Sequence, residues 1–335
     1  MARAFVTGST GLLGNNLVRE LRARGHEVRA LVRSPDKAAT QLPADVELVR
    51  GDLGDVAAFA DAIDGCDLVF HTAAYFREYF QPGHHDALLR RLNVDATVEL
   101  LEAADRRGVR AFVHTSSSGV VGRGPHGALG DESTAPAPIA TANRYFASKV
   151  EAERAVDAFL VDHQLPVVVV RPGWMFGPGD AAPTSAGQVV LDVARGRLPG
   201  TPRTSSTTVD ARDVAVAMIT AADKGAPGER YNLAGPVLTM SEVAHAIAAA
   251  AGVRPPRELP DVLVNVVAVA AESLARITGR PALVTREAVA ALREGATASS
   301  SKAERELGFA ARPFTQTAHD TVAWYRGTGM LTPAK

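Results

Sequence analysis

The chain has 335 residues, 46 % of them apolar and 22 % charged, with a formal net charge of -1. That is long enough for one large or two modest domains with a proper core, and the near-neutral balance excludes a broad electrostatic attraction to nucleic acid or an anionic membrane. Cys66, the only cysteine, excludes an intramolecular disulfide and a cysteine-built metal site and fits a reducing, cytoplasmic compartment. The N-terminus lacks the apolar core of a signal peptide and leads at once into a strand, Ala4-Phe5-Val6. A helix follows over Leu12 to Arg24, stopped by Gly25. Strands are predicted at Val28–Val32, Val46–Val49 and Asp67–Phe70, a long helix at Ala87–Arg107 and a fifth strand at Ala111–His114. A helix over Asn143–His163 and a sixth strand over Val167–Val170 complete this half.

Apolar strands alternating with helices predict an α/β fold, a doubly wound parallel Rossmann sheet covered on both faces. Ligands of such sheets sit beyond the carboxyl ends of the strands, where the polar motifs fall. Residues 1–172 are read as the dinucleotide-binding domain, with return elements near 209–235 that include a strand at Tyr231-Asn232-Leu233. Residues 173–208 and 236–335 are read as a smaller, mostly helical substrate lobe. The helices predicted in this half are Ala211–Ala222, which lies among the return elements, then Glu242–Ala251, Leu263–Thr278 and Arg286–Glu294. Thr239 with Glu242, and Ser301 with Glu304, fit capping boxes. Val262–Ala271, the longest apolar stretch, is too short to span a bilayer and carries Asn265, which favours a buried or interfacial helix.

Thr7-Gly8-Ser9-Thr10-Gly11-Leu12-Leu13-Gly14 lies between the first strand and its helix. The spacing is GxxGxxG. It supplies a tight turn, bare backbone for a pyrophosphate and close packing of helix on strand. The helix N-terminus then offers unpaired N–H groups to phosphate. Thr7, Gly8, Thr10, Gly11, Leu12, Leu13 and Gly14 are therefore read as dinucleotide-binding. Arg33 ends the second strand, where an acidic residue would hold the ribose 2′-hydroxyl of NAD. An arginine there suits the 2′-phosphate of NADP, with Lys37 as a second cation, so NADP(H) is favoured over NAD(H). An exposed strand-end charge is the plain alternative. Asp52 and Leu53 are placed near the adenine. Thr72, Ala73 and Ala74 are read as lining the cofactor's path, and Pro172 as a turn beside the nicotinamide. His71 is read as structural.

Tyr145 precedes Lys149 by four residues, so on a helix the two share one face. The ammonium there favours tyrosinate. A phenol with a pKa near ~10 then becomes a proton donor near neutrality if it gains roughly 4 kcal/mol of differential stabilisation, which is expected from the lysine together with a cationic cofactor ring. Ser116, Ser117 and Ser118 are consecutive at the end of the fifth strand. Asn93 is a candidate to continue a proton relay through its helix backbone and a water, or else a polar residue bonding local backbone.

These segments together resemble the extended short-chain dehydrogenase/reductase superfamily, in its NAD-dependent epimerase/dehydratase branch. Within it the chain is similar to dihydroflavonol-reductase-like proteins. Besides the glycine loop, the matches are Gly51–Leu53, His71–Ala74, Thr115–Ser117, Tyr145–Lys149, Arg171–Asp180, Val209–Ala215 and Ser301–Phe309. The resemblance implies Tyr145 as general acid/base, Lys149 as ribose ligand and modifier of the phenol, and Ser117 as the donor that orients the carbonyl. It implies hydride transfer between nicotinamide C4 and the substrate carbon, with Tyr145 protonating the oxygen. Counting back from Gly122, the family pattern selects Ser117 among the three serines. Dimerisation through the two long helices is also implied, giving a homodimer as the expected assembly.

Tyr75, Phe76 and Tyr79 form an aromatic run in a chain with only 5 % aromatics. With Trp174, Met175 and Ser117 they are read as the substrate pocket, suited to a flat or apolar carbonyl or alcohol compound. His84-His85 lacks a carboxylate or cysteine partner, and no metal is expected. The leading expectation is an NADPH-dependent reductase of ketones or aldehydes. A nucleotide-sugar epimerase or dehydratase with bound NAD is the alternative, and a cofactor-sensing protein without turnover is the third.

Overall fold

The computed structural model describes residues 1–76, 85–260, 263–264, 266, 269, 273 and 298–331. Its main sheet is built from β1 (Arg3–Thr7), β2 (Glu27–Val32), β3 (Glu47–Arg50), β4 (Leu68–His71), β5 (Ala111–Thr115), β6 (Val167–Pro172) and the return strand β9 (Arg230–Leu233). Their order is β3-β2-β1-β4-β5-β6-β9, and each neighbouring pair is parallel. The order reverses between β1 and β4, which is where a doubly wound sheet opens a crevice at its carboxyl edge.

The strands read as unbroken apolar runs because both faces are covered. On one face Val6, Phe70, Val113 and Val168 pack with Leu17 of α1 (Leu12–Ala23) and Val214 and Met218 of α8 (Ala211–Lys224). On the other, Phe5, Val69, Phe112 and Val167 pack with Leu100 and Leu101 of α4 (Ala96–Arg106) and Val156 and Phe159 of α6 (Arg144–Asp162). A short helix, α2 (Pro35–Ala39), follows β2.

The expected helix over Ala87–Arg107 is present with one departure. α3 (Asp86–Leu89) runs into a π-helical turn at Arg90–Asp95 and then into α4. No proline or glycine marks it, so hydrophobic periodicity passes over it. Such bulges concentrate at functional sites, and this one carries Asn93.

Beyond β6 a second sheet of three strands forms, in the order β10-β8-β7. β7 is Trp174–Phe176, β8 Ser205–Asp210 and β10 Val237–Thr239. The other helices are α5 (Pro138–Ala142), which leads into α6, and α7 (Ser185–Ala194), α9 (Met240–Ala251), α10 (Ser301–Leu307) and α11 (Phe314–Gly327). Phe176, Val190, Ile247, Phe314 and Tyr325, drawn from β7, α7, α9 and α11, make a third apolar cluster. The capping box at Thr239 and Glu242 forms. The one expected at Ser301 does not. Ser300 precedes α10 without a side-chain cap, because its hydroxyl donates to the Ala234 carbonyl at 2.6 Å and accepts from the Ala234 N–H at 2.7 Å. Most of the expected helix Leu263–Thr278, and all of Arg286–Glu294, lie outside the described residues. Among the described residues no helix is long and apolar enough to cross a membrane.

Candidate active site

At the end of β1 the chain turns sharply through Gly8, whose φ of +69° favours glycine. A Cβ there would also lie 2.7 Å from the Ala73 nitrogen, so β1 and the loop after β4 meet on bare backbone. Gly14 is excluded from larger residues by packing, since its Cβ would fall 2.2 Å from the Gly8 carbonyl oxygen. Gly11 differs. An added Cβ meets only the Gly8 oxygen, at 3.3 Å, so packing alone does not demand glycine. Gly11 is also the N-cap of α1, with no side-chain cap and no acidic residue in the first turn. An uncapped helix end over bare backbone fits a pyrophosphate. Leu12 and Leu13 are buried, so they offer backbone N–H groups only. Thr10 is half-buried beside them.

Arg33 is exposed and Lys37 stands on α2 just beyond it. Among the described residues neither side chain has a hydrogen bond or ion pair, so both cations stand free at the carboxyl end of β2. Asp52 accepts the Gly54 N–H at 2.8 Å in a local turn, and Leu53 packs against the sheet.

A chain of buried hydrogen bonds joins the glycine turn to the π-helical turn. Thr7 Oγ1 meets His71 Nδ1 at 2.8 Å, and His71 Nε2 meets Thr97 Oγ1 at 3.1 Å. Thr97 donates its own proton to the Asn93 carbonyl at 2.9 Å. It must therefore accept from His71 Nε2–H, which leaves Nδ1 to accept from Thr7. Burial, then the charges of His114 and Lys149, holds the His71 ring well below the usual histidine range, so it is neutral and structural, as its sequence position suggests. Thr72 Oγ1 donates to the Thr7 carbonyl at 2.7 Å and closes the junction. The Asn93 amide clamps Tyr75 through both backbone groups, at 2.7 and 3.2 Å, and donates to Ser148 at 3.0 Å. Its side chain thus holds the loop after β4 against α6.

Tyr145 and Lys149 stand one turn apart at the start of α6, which Asn143 caps by accepting the Phe146 N–H at 3.1 Å. Lys149 is 3 % exposed. Its Nζ lies 6.0 Å from the Tyr145 ring centroid and donates to the Thr115 carbonyl at 2.9 Å. The three serines separate at once. Ser116 donates to Glu153 at 2.5 Å, and Ser118 is buried. Ser117 alone is half-open; its Oγ accepts the Gly119 N–H at 3.2 Å, leaving its proton for a ligand.

In the protein alone burial pushes the Tyr145 phenol up, not down. Burial also draws the Lys149 ammonium down to about 8, with Glu153 pulling the other way. The amine and phenol are adjacent, but Lys149 alone does not make Tyr145 a neutral-pH acid. The further stabilisation belongs to whatever fills the site.

Phe76 stacks obliquely on Tyr145 with centroids 4.7 Å apart. Tyr75 turns its hydroxyl to His85 Nδ1 at 2.7 Å. Trp174 packs edge-on to Phe176 at 4.6 Å and against the third cluster, while Met175 packs against the main sheet. Both are half-buried packing residues of β7. Tyr79 and His84 lie outside the described residues. Pro172 ends β6 opposite Leu233. Among the described residues no three His, Cys, Asp or Glu side chains group as a metal site.

Sequence reasoning missed Glu153. It lies one turn beyond Lys149 on the same face and is buried with Arg171. An acid recurring at that spacing on a face turned to the sheet was the available signal.

A family model, the NAD dependent epimerase/dehydratase family, matches residues 4–234. The chain belongs to that family. It is 35 % identical over 330 residues to the sterol demethylase protein B of Methylococcus capsulatus, covering 98 % of this chain and 99 % of that one. It is 30 % identical over 332 residues to a putative dihydroflavonol 4-reductase of Synechocystis, covering 98 % and 95 %. The crystal structure of gox2253 superposes with a TM-score of 0.84 at 34 % identity, covering 99 % of this chain and all of that one. The protein is an NAD(P)-dependent oxidoreductase of the extended short-chain dehydrogenase/reductase type.

Proposed function

We propose that this oxidoreductase reduces a ketone or aldehyde carried on a bulky apolar molecule, using NADPH, with Tyr145 as proton donor. One observation carries the substrate class. The Phe76 ring lies 4.7 Å from the Tyr145 ring, so any oxygen presented to the phenol meets an aromatic surface. Such a wall favours an apolar or flat ligand over a hydroxyl-rich sugar. The sterol named for the Methylococcus relative is a compound of that kind. Free Arg33 and Lys37 favour the 2′-phosphate of NADP over the bare ribose of NAD.

The glycine turn, the uncapped start of α1, Thr72, Ala73, Ala74 and Lys149 would hold the dinucleotide. When bound, its dihydronicotinamide supplies the hydride. Ser117 donates a hydrogen bond to the carbonyl oxygen, and Tyr145 delivers the proton as negative charge develops there. Lys149 holds positive charge one turn from the phenol and favours its ionised form. In this reading residues 1–172, with the return elements, hold the dinucleotide, and 173–208 with 236–335 hold the substrate. A homodimer through α4 and α6 belongs to the same reading; Val161 lies 78 % exposed on α6, and light scattering tests it.

The test is a panel of polycyclic and long-chain ketones, aldehydes and UDP-sugars with NADPH or NADH, followed by absorbance and product analysis. Stoichiometric NADPH consumption with an apolar ketone is expected. Tightly bound NAD after purification, with turnover of a UDP-sugar, would replace this reading with an epimerase.

A further inference from the structure

Glu153 is 5 % exposed, and four donors converge on its two oxygens. Ser116 Oγ at 2.5 Å and Arg171 Nε at 2.9 Å bond Oε1. Arg171 Nη2 at 2.5 Å and Arg230 Nε at 3.0 Å bond Oε2. Burial raises the carboxyl, but the bonds and charge of Arg171, with Ser116 and Arg230, outweigh it and hold the group below its usual range. Removing such ions from water is costly, and an apolar set of similar size often serves a core as well or better. The location is informative. Glu153 stands one turn beyond Lys149 and two beyond Tyr145, and its serine partner directly precedes Ser117.

We propose that Glu153 is a positioning residue for this site, acting in two separable ways: through Ser116 it fixes the end of β5 that carries Ser117, and through its negative charge it holds the Lys149 ammonium. The inference rests on the roles given to Tyr145, Lys149 and Ser117 under the proposed function. Arg171 on β6 and Arg230 on β9 complete the brace, so one carboxylate ties three strands to α6. Arg171 also reaches the Glu132 carbonyl at 3.3 Å, and Arg230 is shared with Asp157 at 2.5 Å.

The groups facing Lys149 are few. α6 supplies Tyr145 and Glu153, β4 supplies His71 and β5 supplies His114. Arg171 and Arg230 stand behind Glu153. The turn at Arg90–Asp95 and the start of α4 bring Asn93 and Thr97, neither of which titrates. Both histidines are buried and held well below the usual range by burial and nearby charge, so they stay neutral across the working range. Among the described residues Glu153 is then the one anion acting on Lys149. Neutralising it leaves the Arg171 guanidinium without its carboxylate partner nearby, while Arg230 keeps Asp157, and the ammonium loses on both counts.

The chain has five lysines, so 13Cε-lysine NMR can follow each in the full-length protein without cofactor. Wild-type Lys149 should titrate at about 8. Glu153→Gln should lower that midpoint by about 1 unit or more and move the alkaline limb of kcat for reduction to lower pH. Ser116→Ala should leave the midpoint in place and lower kcat about tenfold, with KM for cofactor unchanged. An unmoved midpoint in folded Glu153→Gln, or wild-type kcat in Ser116→Ala, overturns the proposal. If Glu153→Gln does not fold, Ser116→Ala alone decides it. Full turnover in Tyr145→Phe would instead refute the proton-donor assignment, and the NMR midpoint is read without turnover.

Discussion

Lys149→Met should stabilise the fold at neutral pH while it removes activity. The ammonium is 3 % exposed, and burial draws it from 10.5 to about 8. The difference, 10.5 minus 8, is 2.5 units, or about 3 kcal/mol at about 1.36 kcal/mol per unit. Loss of the bond to the Thr115 carbonyl, 2.9 Å in length, returns about 1 kcal/mol, so the net gain is about 2 kcal/mol. Methionine is unbranched and adapts to the space that the lysine stem fills. The sign follows from linkage. The folded value lies below the unfolded one, so the unfolded chain binds the extra proton between about pH 8 and 10.5. Wild-type stability therefore rises with pH through that window, and the lysine's cost is fully present below it. Urea unfolding of both proteins at pH 7 and near pH 10.5 measures this. The variant's advantage should be present at pH 7 and vanish at the alkaline end. A variant less stable at pH 7, or an advantage independent of pH, would refute the reasoning.

The same geometry sets four further outcomes. Tyr145→Phe should lower kcat by at least about 100-fold while NADPH affinity, measured by fluorescence titration, stays unchanged. Arg33→Asp should lower the ratio of kcat/KM for NADPH over NADH by about ten- to a hundredfold, and an unmoved ratio means Arg33 does not read the phosphate. Gly14→Ala should destabilise the protein by at least about 1 to 3 kcal/mol, because its methyl meets backbone. Gly11→Ala should leave the melting temperature near wild type and weaken dinucleotide binding; calorimetry separates the two.

The first half of the fold was legible because each signal there is local. Strands such as Val167–Val170 are buried on both faces and spell themselves out as valine runs, and the glycine turn needs its glycines for reasons that a single segment shows. Tyr145 and Lys149 were legible for the same reason, being neighbours on one helix. What escaped depends on partners distant in sequence. The brace at Glu153 gathers Ser116, Arg171 and Arg230 from three strands. β8 reads Ser205-Ser206-Thr207-Thr208, a polar run that becomes a strand through its pairing with β7 and β10. The Ser301 box failed because the helix already begins at Ser301 with Ser300 as its N-cap, and the Ser300 hydroxyl is held by the distant backbone of Ala234. The opposing pull of burial on the phenol escaped too, since adjacency to an amine does not reveal it.

The widened turn at Arg90–Asp95 imposes a reading frame on α4. A π turn holds an extra residue, so deleting one there would restore a regular helix. It would also rotate every later position of that helix by about 100°. Leu100 and Leu101, now in the sheet's interface, would swing toward water, and Asn93 would release Tyr75 and Ser148. Length at this point is therefore coupled to the site's geometry, and a shortened homologue must rebuild the neighbouring interface as well as the clamp.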